Sequence, residues 1–226
     1  MAIKAGDGIH EGSAESAGSS SRVSSALWPL GPVTLVVAAA LVGLVVGGVT
    51  QVLQAHLDSP WLSLVNAASP WLFFAFVVGA AARRLRHAAG AGLILCAGEL
   101  AGYYGTAHER GIPASTGIMV FWAVCGLIGG PLFGAGGLLW RRATGWTRGL
   151  GPALLGGSFL AEAADYQWNL HYHSTALLFA VIGVAAAALA GLRASQLPRT
   201  GLWFCAVLPA GLLAEAVLNT VYNHSF

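Results

Sequence analysis

The sequence predicts an all-helical membrane protein that crosses the bilayer seven times. Three observations carry that prediction. Of the 226 residues, 9% are charged and 56% hydrophobic, with a mean hydropathy of +0.70. A water-soluble domain carries about 25% charged residues, so too few remain here to cover a water-facing surface. Apolar runs of the roughly 20 residues needed to cross the hydrocarbon layer recur along the chain, and the arginines cluster between alternate runs. A soluble enzyme, a wholly disordered chain and an ordinary nucleic-acid binder are excluded. The 31 glycines and abundant alanines suit close helix packing in lipid.

Residues 1–26 form a polar Ser/Gly/Ala tail carrying Lys4, Asp7, Glu11, Glu15 and Arg22. It has no hydrophobic periodicity and is expected to be a disordered cytoplasmic segment, leaving residues 27–226 as one transmembrane domain. The first apolar run, from near Trp28 to about Gln54, is too long for a signal-peptide core and reads as a spanning helix. The spans are placed at 29–55, 69–87, 89–107, 115–140, 150–172, 174–193 and 201–222. The second is the weakest, because Asn66 and Ser69-Pro70 interrupt the apolar run before it. The fourth holds Gly129-Gly130-Pro131, where a kink is expected. Loops are short, so neighbours in sequence should be antiparallel neighbours in one bundle.

Orientation follows from the basic residues. Arg83, Arg84 and Arg86 follow span two; Arg141, Arg142 and Arg148 follow span four; Arg193 and Arg199 follow span six; Lys4 and Arg22 precede span one. Arg110 alone lies on the other side. The bias places the N-terminus in the cytoplasm and the C-terminus outside the cell membrane. A weak internal repeat accompanies it: three helix pairs plus one helix. Each pair has an outward helix with a polar tip, a turn with Ser69, Ser115 or Ser174 as N-cap, and an apolar return helix.

Four acidic residues fall inside predicted spans: Glu99, Glu162, Asp165 and Glu215. None has an obvious basic partner in a span. A charged side chain at membrane depth costs roughly 2.5–3.5 kcal/mol on insertion scales, which makes each a functional candidate. An unpaired carboxyl in a low dielectric favours its neutral form and can then act as an acid. The plainer reading is a carboxyl that bonds neighbouring backbone and holds helices together. Tyr103 and Tyr166 follow Glu99 and Glu162 by four residues, within hydrogen-bonding reach on the same helix face. Interface anchoring is the plainer role for both tyrosines. The outer helix ends are polar, with Gln51, Gln54, Tyr104, Gln167, Asn169 and Asn219 among others. An outward-opening pocket lined by the odd-numbered spans is expected. Its floor would be Glu99, Glu162 and Glu215, and its walls would include Tyr103, Tyr166, Trp122 and Trp168.

Five histidines (His56, His108, His171, His173, His224) lie at the outer edge without ligand spacing, and no metal or other cofactor is expected. Cys96, Cys125 and Cys205 are isolated, mid-span packing residues. Walker and Rossmann fingerprints are absent, as are the aspartate-rich motifs of soluble terpene synthases and membrane prenyltransferases.

Protonatable carboxyls among aromatic rings in an apolar pocket suit carbocation chemistry on a lipid-soluble substrate. A neutral acid protonates an alkene or epoxide, aromatic faces steady the cation, dry walls exclude water, and a second carboxylate takes the final proton. The run Glu99-Leu-Ala-Gly-Tyr103-Tyr104, with the chain's size, seven spans and intramembrane glutamates, resembles the small seven-helix membrane terpene cyclases of actinomycetes. These cyclases, of the drimentine and xiamycin type, cyclise farnesylated indole intermediates in terpenoid antibiotic biosynthesis. The resemblance covers most of residues 29–222 and implies two essential acids, with Glu99 and Glu162 foremost and Asp165 and Glu215 behind. It also implies a farnesyl-type isoprenoid substrate, taken from the bilayer and contacted by Tyr103, Tyr104, Trp122, Tyr166 and Trp168. The chain is similar as well to actinobacterial membrane proteins without an assigned activity. Proton-coupled transport, a substrate-binding membrane subunit and a non-catalytic membrane partner are the rival classes.

The orientation is testable with reporter fusions. Alkaline phosphatase fused after Phe226 should be active, and fused after Arg84 or Arg148 inactive; the opposite pattern would refute the assigned topology.

Overall fold

The computed structural model describes residues 29–225; the tail expected at 1–26 lies outside these described residues. Among them the chain is all helix, with no strand: α1 (Pro32–Leu53), α2 (Trp61–Asn66), α3 (Ala68–Ala80), α4 (Leu85–Glu109), α5 (Thr116–Arg142), a 3-10 turn (Gly145–Thr147), α6 (Leu150–Trp168), α7 (His173–Arg193) and α8 (Leu197–Ser225). Helices α1, α5, α7 and α8 are long and apolar enough to cross a membrane. Helix α3 is apolar but only 13 residues long. Helices α4 and α6 have the length but carry acidic residues, Glu99 in one and Glu162 and Asp165 in the other, that lower their apolarity.

Helix boundaries follow local chemistry. Pro32 opens α1, where its missing N–H would have had no helical partner. Span two, expected to reach residue 87, instead stops at Ala80. The chain turns through Ala82 to Arg84, and Arg86 and His87 open α4. The arginines hold this turn: Arg141 Nη1 donates to Ala80 O at 2.5 Å, Arg83 Nη2 to Pro29 O at 3.0 Å and Arg142 Nη1 to Arg83 O at 3.1 Å. The arginines of that face thus satisfy backbone carbonyls, including terminal ones that the helices leave unpaired. Helix α5 runs unbroken through Pro131. The serine caps expected at the return helices are not made. Ala67 and Tyr172 occupy the N-cap positions of α3 and α7, and Ser115 caps α5 without a side-chain bond.

Two groups of helices make the bundle. In the first, α4 packs against α1 on one side and α5 on the other, with α3 wedged between α4 and α5. In the second, α6 carries α7 and α8. Helix α6 joins the groups through α5 and, more lightly, α3. Lipid tails are as apolar as leucine, so burial of apolar surface does not drive helices together; close van der Waals packing does. Glycines supply it. A methyl group at Gly47 would sit 1.9 Å from the Glu99 carbonyl oxygen, and one at Gly102 would sit 2.2 Å from that of Leu44. Gly137 meets Phe76 O and Gly79 meets Gly134 O in the same way.

Gly47→Ala is therefore expected to destabilise the protein by about 1–3 kcal/mol through overpacking, read as a lower midpoint of unfolding in detergent. Gly90→Ala, with nothing within 4 Å of the added methyl, should be neutral or stabilising by up to about 1 kcal/mol.

Candidate functional site

A cavity of about 1400 Å³ lies between the two helix groups. Its walls are the start of α3, the second half of α4, the first two-thirds of α5, and the facing sides of α6 and α8. Helices α3 and α5 thus line it alongside α4, α6 and α8, whereas α1 supplies only Gln54 at its C-terminal end. The lining is mostly apolar, with polar groups gathered toward the outer rim at Gln54, Asn66, Tyr104 and Ser115.

Glu99 borders this cavity from α4, 0% exposed to solvent, and neither carboxyl oxygen has a hydrogen-bond partner. The Cys96 thiol lies beside it one turn below, and a thiol is only a weak donor. Glu99 reaches this position because Gly43 and Gly47 let α1 press directly on its backbone. Glu215 enters the cavity from α8. Each glutamate lies ten residues before its helix ends, at Glu109 and Ser225, hence about 15 Å below the helix tip. Tyr103, Tyr104 and Trp122 line the same space.

The other expected site residues are placed elsewhere. Glu162 is buried but does not line the cavity. It reaches across to the first turn of α3, where its Oε1 accepts from the amides of Ala68 at 2.8 Å and Ser69 at 3.2 Å. Free amides at a helix N-terminus are natural partners for a carboxylate, so Glu162 caps the helix that the sequence left without a serine cap. Asp165 accepts from Asn169 Nδ2 at 2.6 Å and Asn219 Nδ2 at 2.5 Å, tying α6 to α8. Asp165 and Glu162 are within electrostatic reach of Glu215. Tyr166 packs on Phe179 with ring centroids 5.1 Å apart, its hydroxyl toward Ser63. Trp168 is 69% exposed and away from the cavity. The Tyr103 hydroxyl does not turn down to Glu99; it donates to Gln54 Oε1 at 2.8 Å, and Gln54 in turn donates to Asn66.

Trp71 is the cavity residue that the sequence reading overlooked. It lies one turn into α3, its ring 5.9 Å from that of Tyr103, and its indole Nε1 is buried without a partner. The Ser69-Pro70-Trp71 run was visible in the sequence, but nothing in it marks the indole as an unpaired donor on the cavity that Glu99 also borders. Among the described residues, no three His, Cys, Asp or Glu side chains gather closely enough to hold a metal ion.

Fold and site define a helical membrane protein with an acid-bearing cavity between two helix groups. The chain belongs to a family of unknown function, DUF6518, whose sequence model matches residues 28–223. No curated protein and no solved structure gives a significant match.

The capping role of Glu162 predicts a split between two substitutions. Glu162→Gln keeps an acceptor oxygen and should lower stability by less than about 1 kcal/mol. Glu162→Leu leaves the α3 amides unsatisfied and should cost about 2–4 kcal/mol, measured as the shift in unfolding midpoint.

Proposed function

We propose that the protein is a seven-span enzyme of the cell membrane, N-terminus inside, that cyclises a lipophilic polyene by carboxylic-acid protonation, as a metal-independent terpene cyclase. The spans are α1, α3, α4, α5, α6, α7 and α8. The observation that carries the reading is Glu99: a wholly buried, unpartnered carboxyl on a large apolar cavity. The cavity exceeds the roughly 300–1,000 Å³ of ordinary small-molecule pockets, which suits a chain of several isoprene units with an attached ring system. Helices α5 and α8, which border it, present many apolar side chains outward. A substrate dissolved in the bilayer can reach it between them without crossing water.

In this reading Glu99, as the neutral acid, gives its proton to a substrate epoxide oxygen or double bond. With an epoxide, an O–H bond forms as the carboxyl O–H and the epoxide C–O bonds break; with a double bond, a C–H bond forms instead; either way a tertiary carbocation results. Neighbouring double bonds close rings onto the cation while the faces of Tyr103, Tyr104 and Trp122 stabilise the migrating charge. Glu215, as carboxylate on the opposite wall, removes a proton from the carbon beside the last cation and restores a double bond. The net reaction is an isomerisation, and proton return from Glu215 to Glu99 resets the site. Glu162 and Asp165 support it from behind: one by fixing α3, the other by holding α8 to α6.

Membranes containing the protein, incubated with farnesylated indoles and related prenylated compounds, should yield cyclised products by mass spectrometry and NMR. Glu99→Gln should lower turnover at least about 10²–10⁴-fold with expression unchanged, whereas Glu162→Gln should leave most of it. Absence of products across the panel sinks the cyclase reading. Proton-coupled uptake into proteoliposomes without turnover would establish the transport class in its place.

A further inference from the structure

Among the described residues, three buried side-chain polar atoms have no hydrogen-bond partner: Trp71 Nε1 and the two carboxyl oxygens of Glu99. All three belong to residues that line the one large cavity. Buried polar groups are normally satisfied, and leaving one unmade is expensive. Inside a bilayer there is no bulk water to make up the deficit. One donor on α3 and one carboxyl on the adjoining α4, left open to one cavity, specify a ligand.

We infer that the cavity binds its lipophilic ligand through a single neutral oxygen function, held between the Trp71 indole N–H and the Glu99 carboxyl. The oxygen accepts a hydrogen bond from Trp71 Nε1 and shares a proton with Glu99. Other ligand chemistries fit less well. A pure hydrocarbon leaves both groups unsatisfied. A phosphate or carboxylate meets two glutamates, Glu99 and Glu215, and no Lys, Arg or His among the lining residues. An ammonium would satisfy Glu99 but would set its positive charge against the donating edge of Trp71. Trp71 is thus a ligand-positioning residue. Its ring is backed by Tyr103, whose hydroxyl is fixed on Gln54, and Gln54 is held in turn by Asn66 and by Val65 O at 3.4 Å. The polar outer rim therefore sets the aim of the indole.

The inference concerns the cavity proposed above as the reaction site but requires no turnover, so the two can fail separately. The test is equilibrium binding of three chain-matched probes to the detergent-solubilised full chain: farnesol, farnesene and farnesyl diphosphate. Farnesol should bind about 10-fold or more tighter than farnesene, the worth of one to two well-placed hydrogen bonds, and the diphosphate should show no saturable binding. Trp71→Phe and Glu99→Leu should each bring the farnesol-to-farnesene ratio toward one while farnesene affinity stays within about two-fold. A variant that merely misfolds loses both ligands, and the wild-type ratio alone then decides. Equal affinities in the wild type, tighter binding of the diphosphate, or an unchanged ratio in both folded variants overturns the inference. A protein that discriminates between the probes yet turns over nothing keeps this inference and loses the cyclase reading.

Discussion

Backbone touching backbone at glycine is the contact on which the rest of this protein depends. At the α1–α4 crossing, Gly43 and Gly47 of one helix and Gly98 and Gly102 of the other remove every Cβ that would hold the backbones apart. Gly92, Gly130 and Gly134 do the same between α4 and α5. Because apolar burial is worth little between helices in lipid, these approaches fix how each helix is rotated about its own axis. Rotation decides which residues face inward. Glu99 lies directly in the α1–α4 seam, so its backbone is clamped while its carboxyl projects into the cavity.

Much of this was legible in the sequence, and the parts that were not share a physical cause. Apolar run length located α1 and α7 to within about three residues, because a membrane span has a fixed minimum length. It overran α3, whose end is set by Arg141 reaching Ala80 from another helix, a contact with no local signature. The acids set among apolar helical residues were also legible by their chemistry alone. Their division of labour was not. Glu162 and Glu99 look alike in sequence, each in an outward helix with a tyrosine four residues on. One bonds amides 93 and 94 positions away, and the other meets only the weak donor of the Cys96 thiol. Periodicity gives the face of a helix but not the neighbour that the face meets.

The four acids thus sort by surroundings. Glu162 and Asp165 are occupied with N–H donors from backbone and asparagine, which hold elements in place. Glu99 and Glu215 face an apolar space from opposite sides. The same division explains why the outer polar residues matter. Gln54, Asn66 and Tyr103 form a chain that leaves Tyr103 unavailable to Glu99, keeping the acid unpaired.

The two helices that border the open side of the cavity each carry an internal proline, Pro131 in α5 and Pro209 in α8. Each removes one rung of its helix ladder and frees a carbonyl, that of Leu127 or Cys205. In α5 every buried residue lies at or beyond Gly130; the half before it borders the cavity without being embedded in the bundle. The bending stiffness of both walls is therefore lowest near mid-depth, above a rigid base. The base is held by packing beyond Gly130, while the separation of the upper walls is the dimension that bending at the two prolines changes. The compliant wall is that of α5 and α8, and the fixed one that of α3 and α4.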